Sequence, residues 1–146
     1  VGFGVSGSAA IIFLGVLVCT GTLYTAAAGS AERLVDAEQD NHERILDRRN
    51  TDVDVASARF NATTGVLVVR ANNTGATTLS VDATTLLVDN EYAAVPPANS
   101  RVDGNAATNL WAPGETLEVE VSATAPARVK LITGAGVAAT EPVVVS

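Results

Sequence analysis

The chain has 146 residues, room for one folded domain rather than two. Its formal charge is −7, with Lys130 the sole lysine beside eight arginines, and Cys19 is the sole cysteine. An acidic, lysine-poor surface argues against nucleic acid and anionic lipid headgroups as partners, and a single cysteine excludes a disulfide within the chain.

The first charged side chain is Glu32. Ala9 to Ala28 reads AAIIFLGVLVCTGTLYTAAA, without a polar face. Such a run is long enough to cross a ~30 Å hydrocarbon core as a helix. Residues 1–30 are therefore expected to form a transmembrane helix. A cleaved secretory signal fits less well, because no basic segment precedes the run. The sequence begins at Val1 and contains no Met, which leaves open whether a leader was removed. Gly2, Gly4 and Gly7 match a G-x-G-x-x-G spacing. No strand precedes them, so a dinucleotide site is not expected and a flexible entry to the helix is.

Small side chains recur within the apolar run, notably Gly15, Cys19, Thr22 and Ala26, with Ser8 and Gly29 in the same series. A face of small residues lets two helices approach closely in lipid. These four positions are the expected helix–helix contact, to a second copy or to a partner protein. Scatter in an Ala/Gly-rich segment is the alternative.

Residues 31–51 are densely charged and free of proline and glycine, which predicts a helical stalk. Ser30 is placed to cap a restart after Gly29, and Asp40 with Arg44 forms an i,i+4 pair. His42, the only histidine, is expected on the solvated surface rather than at a metal.

From Asp52 the period of the apolar residues changes to two. Val53 and Val55, Val66 to Val69, Leu86 to Val88, Leu117 to Val121, and Val129 with Leu131 read as short strands separated by turn residues such as Asp89-Asn90. Residues 52–146 are thus expected to form an all-β antiparallel sandwich of immunoglobulin type with seven or eight strands. Residues 98–108 are expected to form the longest loop. Trp111, just before Pro113-Gly114, is expected to cap the core rather than stack on a ligand. Asp103-Gly104-Asn105 reads as a turn, not a calcium loop. Asn61 and Asn72 each open an N-glycosylation sequon.

The β-region has no histidine and no cysteine, so nucleophilic catalysis lacks its usual base. No enzyme activity and no cofactor are expected.

Five segments together resemble the FlaF family of archaellum accessory proteins of halophilic archaea. They are VGFGVSGSAAIIF at the start, NTDVDV at Asn50 to Val55, NNTGATTLSVDATTLLVDNEY at Asn72 to Tyr92, LWAPGETLEVEV at Leu110 to Val121, and RVKLITGAG at Arg128 to Gly136. The acidic composition suits work in high salt. The resemblance implies a single-pass protein of the cytoplasmic membrane whose sandwich lies outside the cell. It implies that this domain binds the S-layer protein and, with a FlaG-like partner, anchors the stator of the archaellum for swimming. The opening also resembles archaellins, so a filament subunit of the pilin class is the alternative. Charge begins early for a fibre-core helix. The positive-inside rule taken alone places the sandwich in the cytoplasm, because Arg33, Arg44, Arg48 and Arg49 all follow the helix.

Overall fold

The computed structural model describes residues 2–146, with side-chain surroundings from residue 4. Two compact units are formed, Val1–Glu43 and Arg44–Ser146. The first consists of one helix, α1 (Gly2–Asn50), whose last turns belong to the second unit.

The α1 helix is unbroken, which corrects two expectations. The opening glycines are helical from Gly2 rather than a flexible entry; Val1 lies outside the described residues. Ser30 caps no restart. Its hydroxyl donates to Ala26 O, four residues back and 2.9 Å away. Ser8, Thr22 and Thr25 bond back to the preceding turn in the same manner. In an apolar setting this satisfies hydroxyls that have no other partner, so small polar residues are carried inside a helix without interrupting it. Among the described residues α1 is the one helix long and apolar enough to cross a membrane, and no protein covers its apolar stretch. Phe13 and Ile11 are more than two-thirds exposed. Asp40 and Arg44 form no ion pair. Both are exposed, and holding two long side chains together in water costs about what the attraction returns.

The second unit is a sandwich. Its strands are β1 (Val53–Asn61), β2 (Val66–Asn73), β3 (Leu79–Ser80), β4 (Thr85–Val88), β5 (Glu91–Ala93), β6 (Ser100–Val102), β7 (Leu110–Trp111), β8 (Thr116–Ser122), β9 (Arg128–Ile132), β10 (Ala138–Pro142) and β11 (Val144–Val145). One sheet has the order β11-β1-β2-β8-β6, the other β10-β9-β4-β5, and β3 pairs with β7 alone. Removing the short strands β3, β7 and β11 leaves the A-B-E-D and G-F-C-C′ arrangement of an immunoglobulin-type sandwich.

Three details differ from expectation. Eleven strands form rather than seven or eight, because two-residue strands have no readable period. The presumed long loop contains a 3-10 turn (Pro97–Asn99) and the edge strand β6. The sheets are not wholly antiparallel, since β11 pairs parallel with β1, Arg59 opposite Val144.

Alternation builds the core. Leu67, Val69, Leu117, Val119 and Phe60 face inward from one sheet, and Leu86, Val129 and Leu131 from the other. In β1 the register slips between Val55 and Ser57, a bulge that keeps both Val55 and Ala58 buried. The Asp89-Asn90 turn has positive φ at both residues (51° and 70°), the primed turn that a two-residue hairpin requires. Asp103-Gly104 does the same, and the Asp103 carboxylate accepts from Thr116 N.

Trp111 is fully buried at one end of the core, as expected. Its indole N–H donates to Glu115 O at 2.8 Å across the Pro113-Gly114 turn. Beside it lies Asn73, also buried. The Asn73 amide donates to Thr77 O and Trp111 O, and its oxygen accepts from Gly75 N. One side chain thereby ties the β2–β3 loop to the tryptophan turn with every polar atom satisfied. The same loop clasps the end of α1. Ala76 N donates to Asn50 O at 2.7 Å, and Thr74 N and Gly75 N both donate to Asp52 O. Helix-end carbonyls need such partners.

Candidate functional site

On α1, Gly15, Cys19, Thr22 and Ala26 follow one another at four, three and four residues, which places them within one face of a 3.6-residue helix. All four are exposed. A shallow groove lined by Ile12, Gly15, Val16, Cys19, Thr20 and Leu23 takes in the first two of these positions but not Thr22 or Ala26. A methyl added at Gly15 would meet nothing within 4 Å, so no protein fills that space. Thr22 turns its hydroxyl back to Cys19 O and Val18 O, leaving its methyl as the outward surface.

The two sequons stand in different settings. Asn61 is exposed where β1 turns into β2, its side-chain oxygen accepting from Thr63 N and Thr64 N. Asn72 is half-buried within β2, and its oxygen accepts from the Thr116 hydroxyl at 2.9 Å. His42 is exposed on α1, and among the described residues no three metal-ligating side chains gather.

The outward faces of the two sheets differ in chemistry. On the sheet containing β1, β2, β8 and β6, three arginines (Arg59, Arg70, Arg101) alternate with three carboxylates (Asp54, Glu118, Glu120). Arg70 Nε lies 2.6 Å from Glu118 Oε2, and Arg101 stands opposite Glu118 on the next strand. The outward face of β10-β9-β4-β5 carries Leu87, Tyr92, Arg128, Lys130 and Ile132. Between the sheets, a cavity of about 120 Å³ opens beside β5, lined by Leu86, Leu117, Val119 and Leu131 with Asp82 also on its wall. Sequence reasoning missed Asn73 and the clasp at Gly75. Both follow from pairings far apart along the chain, and the local signal at Asn72 to Gly75 is only that of a turn.

No protein-family model matches the chain, and no curated protein matches it by sequence. Among solved structures it is similar to the archaellum periplasmic stator protein FlaG from Sulfolobus acidocaldarius, at 16% identity and TM-score 0.44, over 62% of this chain and 97% of that one. The FlaF–FlaG stator complex from the same organism is similar at 16% identity and TM-score 0.42, over 61% of this chain and 85% of that one. The CARDB domain of PF1109 from Pyrococcus furiosus is similar at 14% identity and TM-score 0.29, over 66% and 94%.

Proposed function

We propose that the chain is an archaellum accessory protein of the FlaF type. It is anchored in the cytoplasmic membrane by residues 1–30, carries a stalk over residues 31–51, and holds its sandwich (residues 52–146) outside the cell. There the sandwich grips the S-layer and, with a FlaG-like partner, keeps the stator still. The observation that carries this reading is the order of parts. A helix apolar on every side passes without a break into a charged stretch and then into an immunoglobulin-type domain. The family resemblance over the whole chain supplies the identity of the machine.

A stationary anchor needs binding faces rather than a catalytic centre, and the β-region has neither histidine nor cysteine to serve as a base. The absence of charge from Val1 to Ala31 suits a membrane segment that conducts no ion. Deleting the gene should abolish swimming while growth continues. Normal swimming by the deletion strain would overturn the reading. Loss of one filament type built mainly from this chain would assign it to the pilin class instead. The exposed charges from Glu32 to Arg49 weigh against that outcome, since they would be buried in a fibre core.

The face of Gly15, Cys19, Thr22 and Ala26 is the proposed membrane contact. Close approach of two copies along it places the Cys19 residues within the ~7 Å Cα separation that a disulfide requires. Oxidation of native membranes should then yield a covalent dimer, and Gly15→Leu should remove it. A partner that copurifies without any Cys19 crosslink would assign the face to a heteromeric contact, ending the homodimer claim.

A further inference from the structure

We infer that Asn61 is the acceptor of an N-linked oligosaccharide and that Asn72, the other sequon asparagine, is not. The sequence cannot choose between them, because Asn61-Ala62-Thr63 and Asn72-Asn73-Thr74 match the same motif. The fold separates them. A transferase must reach both the asparagine amide and the hydroxyl two residues on, which suits a surface loop. Asn61 is the last residue of β1, and all three residues of its sequon are exposed. The ladder of β1 with β2 ends at the pair Asn61 and Val66, so residues 62–65 lie outside it. Gly65, at φ 67°, donates its N–H to Asn61 O at 2.8 Å and closes the hairpin. The Asn61 Oδ1 accepts from Thr63 N at 2.9 Å and Thr64 N at 3.1 Å, which holds the amide oxygen against the backbone. Among the described residues, Asn61 Nδ2 and the Thr63 hydroxyl make no hydrogen bond, so both are open to an enzyme.

The second sequon lies inside a sheet. Asn72 is half-buried on β2, between Asp54 of β1 and Thr116 of β8, and its Oδ1 accepts from the Thr116 hydroxyl at 2.9 Å. Asn73 is buried, with its amide committed to Thr77 O and Trp111 O and its backbone N–H to Glu115 O. Thr74 N donates to Asp52 O at 3.0 Å. To seat this tripeptide an enzyme would have to pull β2 from both its neighbours and leave buried backbone groups without partners. Folding therefore takes Asn72 out of reach and leaves Asn61 presented.

The donor class is an oligosaccharide carried on a polyprenyl phosphate lipid. Asn61 Nδ2 bonds to the anomeric carbon of its first sugar. The bond from that carbon to the phosphate oxygen breaks, its electron pair leaves on the lipid phosphate, and one amide proton passes to a base of the transferase. The inference rests on the reading above that the sandwich lies outside the cell.

The test uses the full chain made in its own organism and purified from membranes. Trypsin cuts after Arg59, Arg70 and Arg101, which puts Asn61 on the peptide 60–70 and Asn72 on the peptide 71–101. Mass spectrometry should find the first peptide carrying a glycan and the second bare. Thr63→Ala should abolish the added mass, Thr63→Ser should keep it, and Thr74→Ala should change nothing. Thr63 and Thr74 are exposed, so these variants should melt with the parent. A glycan on the peptide 71–101, or one on 60–70 that survives Thr63→Ala, would overturn the proposal. A second measurement separates the proposal from the reading it rests on. Glu91→Cys sets a thiol on the exposed surface of the sandwich, to be labelled on intact cells with a membrane-impermeant maleimide. If the thiol is labelled and both peptides are bare, the glycan proposal fails and the outside location stands. If the thiol is labelled only after lysis, the sandwich lies inside, and the proposal falls with the reading.

Discussion

Replacing Trp111 with alanine is expected to remove about 3–5 kcal/mol of stability from the β-domain. The indole is fully buried, so its removal leaves a cavity in the core. Its loss also removes a hydrogen bond, leaving Glu115 O with Asn73 N as its donor at 3.1 Å. Glu115 O loses the indole N–H that it accepts at 2.8 Å. The Glu115 carboxylate, which accepts from Ala112 N at 2.7 Å, is held by the same turn and loosens with it. Since a domain of this size has about 5–15 kcal/mol in total, a substantial share of the margin disappears. Thermal unfolding followed by circular dichroism reads the effect directly. A variant melting within a few degrees of the parent would show that the tryptophan is not the keystone of this end of the sandwich.

Gly75→Val should cost about 2–3 kcal/mol, for a different reason. A Cβ at position 75 would lie 2.5 Å from Asp52 N and 2.6 Å from Asn50 O. Both are backbone atoms, so no flexible side chain can yield. To make room, the loop must part from the helix end and break the bonds from Thr74 N and Gly75 N to Asp52 O. Gly134 supplies the comparison. There the nearest atom is the Ala83 methyl at 3.0 Å, a milder conflict, and Gly134→Ala should be nearly silent beside Gly75→Ala. Equal denaturation midpoints for the two alanine variants would refute the steric argument.

The legible parts of the fold were those where one short window holds the whole cause. The uncharged run before Glu32 needs only a count of residues. The inward valines and leucines of β8 and β9 alternate with polar neighbours, β2 opens on the apolar run Val66 to Val69, and Asp89-Asn90 has the residue types that tolerate positive φ. Trp111 could be assigned to the core because a proline–glycine turn follows it. Where two distant segments share a cause, local pattern is silent. Nothing about Leu79-Ser80 or Leu110-Trp111 marks them as partners, and each is too short to alternate. Asn73 reads as a turn or sequon residue, yet it is buried because the β2–β3 loop folds over the tryptophan. The continuation of the helix past Gly29 is legible in the sequence, whereas a cap at Ser30 is not made, because its hydroxyl bonds back to Ala26 O.

The candidate surfaces divide in the same manner. The series Gly15, Cys19, Thr22, Ala26 is visible as spacing alone. The outward row of β10-β9-β4-β5 is not, because Tyr92, Leu87, Lys130 and Thr140 come side by side only through the register.

The parallel pairing of β11 with β1 carries a consequence for biogenesis. Arg59 meets Val144, residues 85 positions apart (144 − 59). During synthesis the first strand of the sandwich emerges early, and β2 can zip onto one of its edges at once. Its other edge stays unpaired until the chain has been delivered as far as Val144 and Val145. Contacts of such separation form slowly, since the intervening chain must be ordered first. Over that interval the open edge is a template for a strand from any neighbouring chain. Closing this end of the first strand is thus necessarily a late event, and a nascent chain held short of Val144 keeps open the stretch of edge that β11 later covers at Arg59 and Phe60.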